Sequence, residues 1–178
     1  MKTAPKIWVE LSLFLAVALL LQNARLLFPL LPAPANQFLI GGLLHLVMAL
    51  SIFRTKSPWA AAVGVLLPIS AFLSGYLLVA AMSPVIAAGN VVYILLVGRW
   101  QKSSLIFLVP VLKALLLFTG AQGVIYFLSL PPPLAGMLSF MMSWPQIVTG
   151  TAGILAQRRR YKGYSKPDRP YNAERRTG

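Results

Sequence analysis

The sequence predicts an all-α integral membrane protein, with six transmembrane helices in one compact bundle and both termini in the cytoplasm. Its 178 residues are 58% hydrophobic and 11% charged, which leaves too little polar surface to cover a water-soluble domain. The apolar residues fall into six segments separated by turn-forming residues. Every second connecting loop carries basic residues, as the positive-inside rule expects of cytoplasmic loops.

Each segment is close to the roughly 20 residues that a helix needs to cross about 30 Å of hydrocarbon. The predicted spans lie at about residues 8–28, 37–53, 58–81, 83–98, 104–128 and 133–156. Proline, serine and charged residues mark the breaks, which read PLLPAPAN at 29–36, FRTKSP at 53–58, MSP at 82–84, RWQKSS at 99–104 and SLPPP at 129–133. The break between the third and fourth spans is the weakest, because only Ser83 and Pro84 mark it.

The basic residues predict the orientation of the bundle. Those outside the spans are Lys2, Lys6, Arg54, Lys56, Arg99, Lys102 and eight more after Gln157. The other three loops contain none, so six spans with both ends inside is the even number that fits. A net charge of +13 would suggest nucleic acid in a soluble protein. Here the charge flanks apolar spans, and we predict no nucleic-acid partner.

The N-terminus also has features of a cleaved signal peptide, namely Lys2, Lys6 and the run Ala16-Val17-Ala18. The apolar run continues past that point and Glu10 interrupts it, so we predict a retained span.

The predicted domains are a six-helix transmembrane domain at residues 1–157 and a cytoplasmic tail at residues 158–178. The tail has too few apolar residues to fold, so we predict that it is disordered. It either attracts anionic lipid head groups, at about 1 kcal/mol for each basic residue, or only signals topology.

Lys113 is the most informative polar residue within a predicted span. It lies about ten residues into the fifth span, near mid-membrane at about 1.5 Å per residue, and an ionisable residue at that depth is by default a pointer to function. No carboxylate is expected there, because Glu10 lies near the inner end of the first span and the other acids are in the tail. Four interpretations stay open. In these, Lys113 is neutral, extends to an interface, forms hydrogen bonds with carbonyl groups freed around Pro110, or binds an anionic ligand.

Asn90 interrupts the apolar stretch AAGNVVYILLVGRW, residues 87–100. An amide there either joins helices, at about 0.6 kcal/mol on average, or orients a ligand in a mostly apolar pocket. Tyr93 follows three residues later on roughly the same helix face, so the two could line one wall.

The last span has a polar and small stripe formed by Gln146, Thr149 and Gly153, below Trp144. The stripe either faces a cavity or lets a neighbouring helix approach.

Gln122 lies in the fifth span, nine residues after Lys113. This spacing places the two on opposite sides of a straight helix. They share a pocket only where Gly120 or Gly123 bends the span.

Other chemistry finds little support. The chain has no cysteine and one histidine, His45, which excludes disulfides, thiolate metal sites and a His-rich metal site. A helix-packing hydrogen bond is the predicted role of His45. Arg25 is predicted either to extend outward to the interface or to meet an anion at the mouth of the pocket. No carboxylate pair, activated nucleophile or phosphate-binding loop is visible, so we predict neither enzyme activity nor a cofactor.

These features resemble the S components of energy-coupling factor (ECF) transporters, small membrane subunits that capture vitamins and related micronutrients. The resemblance rests on the six predicted spans, on Gly89-Asn90 in the fourth, on Lys113 in the fifth, and on a sixth that reads PQIVTGTAGILAQRRR. It covers residues 8–160, and the Pro-Gln-x-x-Thr-Gly opening of the last span is its most specific part.

The resemblance implies a subunit of the cell membrane that binds substrate near the outer face. It would then topple when docked to a transmembrane coupling subunit driven by two ATPase subunits. PLLPAPAN would be the lid, with Trp144 stacking on a flat ring and Lys113 countering a carboxylate or phosphate. The substrate-binding residues would be Asn90, Tyr93, Lys113, Gln122, Trp144 and Gln146. Ser12 and Ala16 are the nearest match to the Ala-x-x-x-Ala docking surface of many members, which is a departure from that pattern.

The chain has no ATP-binding motif, so on this interpretation it needs partner subunits. Two other classes of function also fit the sequence. One is a self-sufficient small-solute or ion carrier that works as a homo-oligomer. The other is a structural or assembly membrane protein without a small ligand.

Overall fold

The computed structural model describes residues 3–24, 33–75, 77 and 79–164. Within them every regular element is helical, so the predicted all-α class is confirmed for this part of the chain. The α-helices are α1 Ala4–Asn23, α2 Ala33–Thr55, α3 Ala61–Leu73, α4 Met82–Arg99, α5 Val109–Leu128, α6 Pro132–Met141 and α7 Trp144–Tyr164. Short 3₁₀ helices at Pro58–Ala60 and Ser104–Leu108 lead into α3 and α5.

Four helical stretches of the described residues are long and apolar enough to cross a membrane, which is consistent with an integral membrane protein. They are Ala4–Asn23, Phe38–Thr55, Met82–Arg99 and Ser104–Leu128. The stretch Pro58–Leu73 is apolar but shorter.

Two predicted spans differ from the observed helices. The third, predicted at 58–81, stops being helical at Leu73, where Gly75 adopts a φ of 73° that favours glycine. The sixth, predicted as one helix at 133–156, is two helices that meet at Met142 and Ser143. Pro145 explains this break, because it has no N–H to continue the helix from α6.

The helices pack as one bundle in which α2 contacts α1, α4 and α7, and α4 contacts α3 and α5. α2 and α7 approach each other closely at Gly153. A Cβ there would lie 2.8 Å from the backbone nitrogen of Leu46 and 2.9 Å from the carbonyl carbon of His45. In this place the polar and small stripe serves helix approach rather than a cavity.

The basic residues gather at one end of the bundle, here called the basic end and defined by Arg54, Lys56, Arg99, Lys102 and Arg158. Arg158 Nη2 donates to the carbonyl oxygen of Ser103 at 2.9 Å, and its guanidinium lies 5.0 Å from the centroid of the Phe107 ring. α7 is thereby attached to the segment before α5. It continues to Tyr164, past the predicted domain boundary at residue 157, and the rest of the predicted tail lies outside the described residues.

Two apolar clusters fill the interior. The larger one lies towards the basic end and includes Ile52, Val63, Ile94, Val97 and Ile154. The smaller one lies at the opposite end, where α4, α5 and α6 meet, and consists of Val79, Met82, Leu117, Ala121, Leu138 and Met142.

Candidate functional site: a buried lysine beside a cavity

A cavity of about 380 Å³ lies in the half of the bundle that is farther from the basic end. Its volume is within the range of small-molecule sites, about 300 to 1,000 Å³. Most of its wall is apolar, and residues of all seven α-helices line it. The polar side chains that line it are Gln22, His45, Asn90, Lys113 and Gln146.

Lys113 joins three helices at the wall of this cavity. Its side chain is 2% exposed, and its Nζ lies 2.7 Å from Asn90 Oδ1 on α4 and 2.7 Å from His45 Nε2 on α2. No acidic side chain of the described residues lines the cavity. The lysine therefore forms hydrogen bonds with two neutral side chains. This pair of partners was not among the four interpretations of the sequence.

The proton positions in this cluster follow from its acceptors. His45 Nδ1 lies 2.7 Å from the carbonyl oxygen of Gly41, and a carbonyl only accepts, so Nδ1 carries the proton. The Nε2 lone pair is then free to accept from Lys113. A charged lysine has three N–H protons. Asn90 and His45 take two of them, and no acceptor for the third is found among the described residues.

Asn90 has a second role, which depends on a proline in the neighbouring helix. Its Nδ2 donates to the carbonyl oxygen of Gly64 at 3.0 Å. In a regular helix that carbonyl would accept from the N–H of residue 68, but Pro68 has none. Asn90 therefore satisfies an acceptor that α3 leaves unpaired, and its amide is fixed between Gly64 and Lys113.

Gln146 repeats this arrangement at the start of α7. Its Nε2 donates to the carbonyl oxygen of Met141 at 3.0 Å. The residue four positions after Met141 is Pro145, which again has no N–H to offer. The side-chain oxygen of Gln146 has no hydrogen-bond donor among the described residues, so it remains available to a molecule in the cavity.

Tyr93 supports the cluster from the core side and does not line the cavity. Its hydroxyl donates to the carbonyl oxygen of Gly150 on α7 at 3.1 Å. Its ring meets the His45 ring edge to face, with centroids 4.9 Å apart, and its centroid lies 5.3 Å from Lys113 Nζ. A cation over an aromatic face is stabilised without a counter-ion.

The other predicted binding residues lie at the margin of the cavity or outside it. Trp144 is half-exposed, and its ring lies 5.4 Å from that of Phe38 and 5.6 Å from that of Phe140, two residues that line the cavity. Gln122 is exposed and donates from Nε2 to Ser139 Oγ on α6 at 2.9 Å. Of the predicted set, the structure brings Asn90, Lys113 and Gln146 to one cavity.

Two further predicted elements lie away from the cavity. Ser12 and Ala16 are both exposed on α1, and Ser12 Oγ donates to the carbonyl oxygen of Trp8 within the same helix. Arg25 and the first half of the predicted lid, residues 29–32, lie outside the described residues, and residues 33–36 begin α2.

His45 is the site residue that the sequence assigned only to helix packing. One sequence signal was present, because His45, Asn90 and Lys113 all lie near the middle of their predicted spans and hence at similar depth. Comparisons with protein-family models, with curated proteins and with solved structures give no match, so the function is inferred from the site itself.

Proposed function

We propose that this chain is the substrate-binding subunit of an ECF-type importer, and that it holds a small molecule in the cavity beside Lys113. The observation that carries the proposal is a fully buried lysine on the wall of a cavity, held by polar side chains from two other helices. Ionisable residues at this depth commonly mark substrate pathways. The sequence resemblance to S components supplies the class of transporter.

In this proposal the basic end faces the cytoplasm of a cell membrane, because its loops carry the excess of lysine and arginine. α6 and α7 together complete a sixth crossing, and both termini are cytoplasmic. The cavity then opens towards the outer face, where a capture subunit meets its substrate. A coupling subunit and two ATPase subunits supply the energy.

Native mass spectrometry of the protein purified in mild detergent from its own host tests the proposal. We expect one bound metabolite per chain, together with co-purifying coupling and ATPase subunits. Uptake into vesicles by this chain alone would contradict the proposal in favour of a self-sufficient carrier. A bare protein that binds none of the added vitamins would favour a structural role.

Substitutions in the cavity sharpen this test. Lys113→Ala and Asn90→Ala should each weaken retention of the metabolite at least about 10-fold, the equivalent of 1.4 kcal/mol. Gln122→Ala is the matched control, because Gln122 is a polar residue of α5 that bonds outside the cavity. Unchanged retention in both cavity variants would refute the site.

The exposed pair Ser12 and Ala16 is the proposed docking surface for the coupling subunit. Ser12→Trp should prevent co-purification of that subunit and leave metabolite binding intact, since α1 contributes only Gln22 to the cavity wall. Leu115→Trp is the control, at a position of α5 that is 60% exposed. Equal effects of the two substitutions would remove the docking role from α1.

A further inference from the structure

The polar groups of the cavity wall limit what a ligand can offer to them. Asn90 uses its oxygen for Lys113 and one of its two amide protons for Gly64, and His45 uses both ring nitrogens. What remains for a ligand includes the third proton of Lys113, the second amide protons of Asn90 and Gln146, and the side-chain oxygen of Gln146. The amide of Gln22 also lines the wall. The cavity therefore offers one amine donor beside several neutral amide groups.

The described wall also has few ionisable side chains. Lys113 is the one lysine, arginine or acidic residue that lines the cavity within the described residues. Its ammonium form has no carboxylate beside it and favours an anionic partner, because a charge-assisted hydrogen bond is roughly twice as strong as a neutral one. A single negative charge on the ligand would balance it.

The number of charged donors separates a carboxylate from a phosphate. A phosphate group carries up to two charges and several acceptor oxygens, and its sites in proteins combine several donors, such as arginine forks, lysines and clusters of backbone N–H groups. The described wall has one lysine and no arginine. A carboxylate needs fewer donors, and the Gln146 oxygen remains for an N–H or O–H group elsewhere on the ligand.

The remainder of the wall suits an apolar body. Met48, Met137, Met141 and Met142 line it together with Phe38 and Phe140. Methionine side chains are unbranched and polarizable, and adapt to irregular apolar shapes. A cavity of about 380 Å³ holds a small molecule of this kind.

We infer that the substrate is a small monocarboxylate with a mostly apolar body, whose carboxylate accepts the third proton of Lys113. This inference rests on the proposed binding function and names the chemical class of its substrate. In its neutral form, Lys113 would donate both of its N–H protons to Asn90 and His45 and present a lone pair to the cavity. In that case the site would prefer a ligand that donates, so the two states of the lysine predict opposite ligands.

The experiment measures thermal stabilisation of the full chain in lipid nanodiscs by compounds that share a carbon skeleton and differ in one end group. The skeletons are those of hexanoate, 3-phenylpropanoate and indole-3-acetate, each also as primary amide and primary amine, with phenyl phosphate as a further anion. Ligand affinity follows from the concentration dependence of the stabilisation. We expect at least one acid to bind about 10-fold or more tightly than its amide.

Two variants assign that preference to Lys113. Lys113→Gln removes the charge and keeps an N–H donor for Asn90, so the acid-to-amide ratio should fall to about 1 while the protein stays folded. Gln122→Met, outside the cavity, should leave the ratio unchanged. Palmitate distinguishes the source of the acid. Displacement of the short acids by palmitate indicates a membrane-derived acid, its failure to compete indicates a water-soluble one, and both support the monocarboxylate class.

The contrary outcomes are distinct. Amides, amines or phenyl phosphate binding as tightly as the acids would overturn the inference and leave the binding function intact. A preference for acids that survives in Lys113→Gln would overturn the role of Lys113. A protein that none of these compounds stabilises at concentrations on the order of 10 mM, where even a Kd of 1 mM gives about 1.4 kcal/mol, would overturn the inference. The native mass spectrometry described above then decides separately on the proposed function.

Discussion

The half of the bundle near the basic end and the half around the cavity are held together in different ways. Near the basic end, branched aliphatic side chains fill the interior, and α2 meets α7 at backbone distance over Gly153. Around the cavity, Pro68 and Pro145 interrupt the helical hydrogen bonds, and Asn90 and Gln146 satisfy the carbonyl oxygens that are left. Irregular backbone at membrane depth is tolerated where it is buried in protein or lines a cavity. Two of the polar side chains on the cavity wall therefore also satisfy carbonyl oxygens that prolines leave unpaired.

The largest effect should come from disrupting the close contact between α2 and α7 in the half near the basic end. Gly153→Val places a side chain against the backbone of Leu46 and His45, which cannot move aside as a side chain could. We expect a loss of about 3 kcal/mol in the free energy of unfolding, measured by denaturant titration in mixed micelles. Gly123→Val is the matched control, because a Cβ at Gly123 meets nothing within 4 Å. Similar losses in both variants would show that α2 and α7 are less tightly packed than described.

The second prediction tests whether the Asn90 amide replaces the hydrogen bond that Pro68 removes from α3. Asn90→Ala leaves the Gly64 carbonyl and one Lys113 proton without partners, and should cost about 2 kcal/mol of stability. In a Pro68→Ala background the backbone N–H gained at position 68 can bond Gly64, so the same substitution should cost about 1 kcal/mol less. A double-mutant cycle of unfolding free energies measures this difference. Strict additivity would contradict the assignment of Asn90 to the carbonyl freed by Pro68.

The sequence predicts this difference between the two halves only in part. The predicted fifth span matches the helical stretch Ser104–Leu128. It follows from hydropathy, because a long apolar run has few alternatives in a membrane. Helical periodicity also separates Gln122 from Lys113, as the structure has them. The bond between Lys113 and His45 joins residues 68 positions apart. It depends on how three helices pack, which local periodicity does not encode.

The break between α6 and α7 was not predicted, for a different reason. A proline within an apolar run both permits a kinked helix and marks a new helix start, and the sequence alone does not choose between them. Here Pro145 marks the start of a new helix, α7. Beside the break, Ser143 Oγ donates to the carbonyl oxygen of Phe140 at 2.7 Å. The prediction of one span at 133–156 therefore missed α6, a short helix that lines the cavity.

A smaller effect should separate support of the lysine cluster from contact with a ligand. Tyr93→Phe removes the hydrogen bond to Gly150 and keeps the ring against His45 and Lys113. Stability should fall by about 1 kcal/mol, while affinity for the co-purified metabolite should stay within about twofold, because Tyr93 does not line the cavity. Tyr126→Phe, at a position 80% exposed, provides the baseline. A large loss of affinity in Tyr93→Phe would mean that the tyrosine contacts the ligand directly.

The smallest effect is expected at the outer surface of α5, where Gln122 and Ser139 form a hydrogen bond between α5 and α6. Gln122→Ala and Ser139→Ala should each change stability by less than about 0.5 kcal/mol, because exposed polar substitutions away from special features seldom do more. The double variant should equal either single one, since both remove the same bond. Denaturant titration in mixed micelles measures both changes. A loss of more than about 1 kcal/mol in either variant would contradict the placement of this bond at the outer surface.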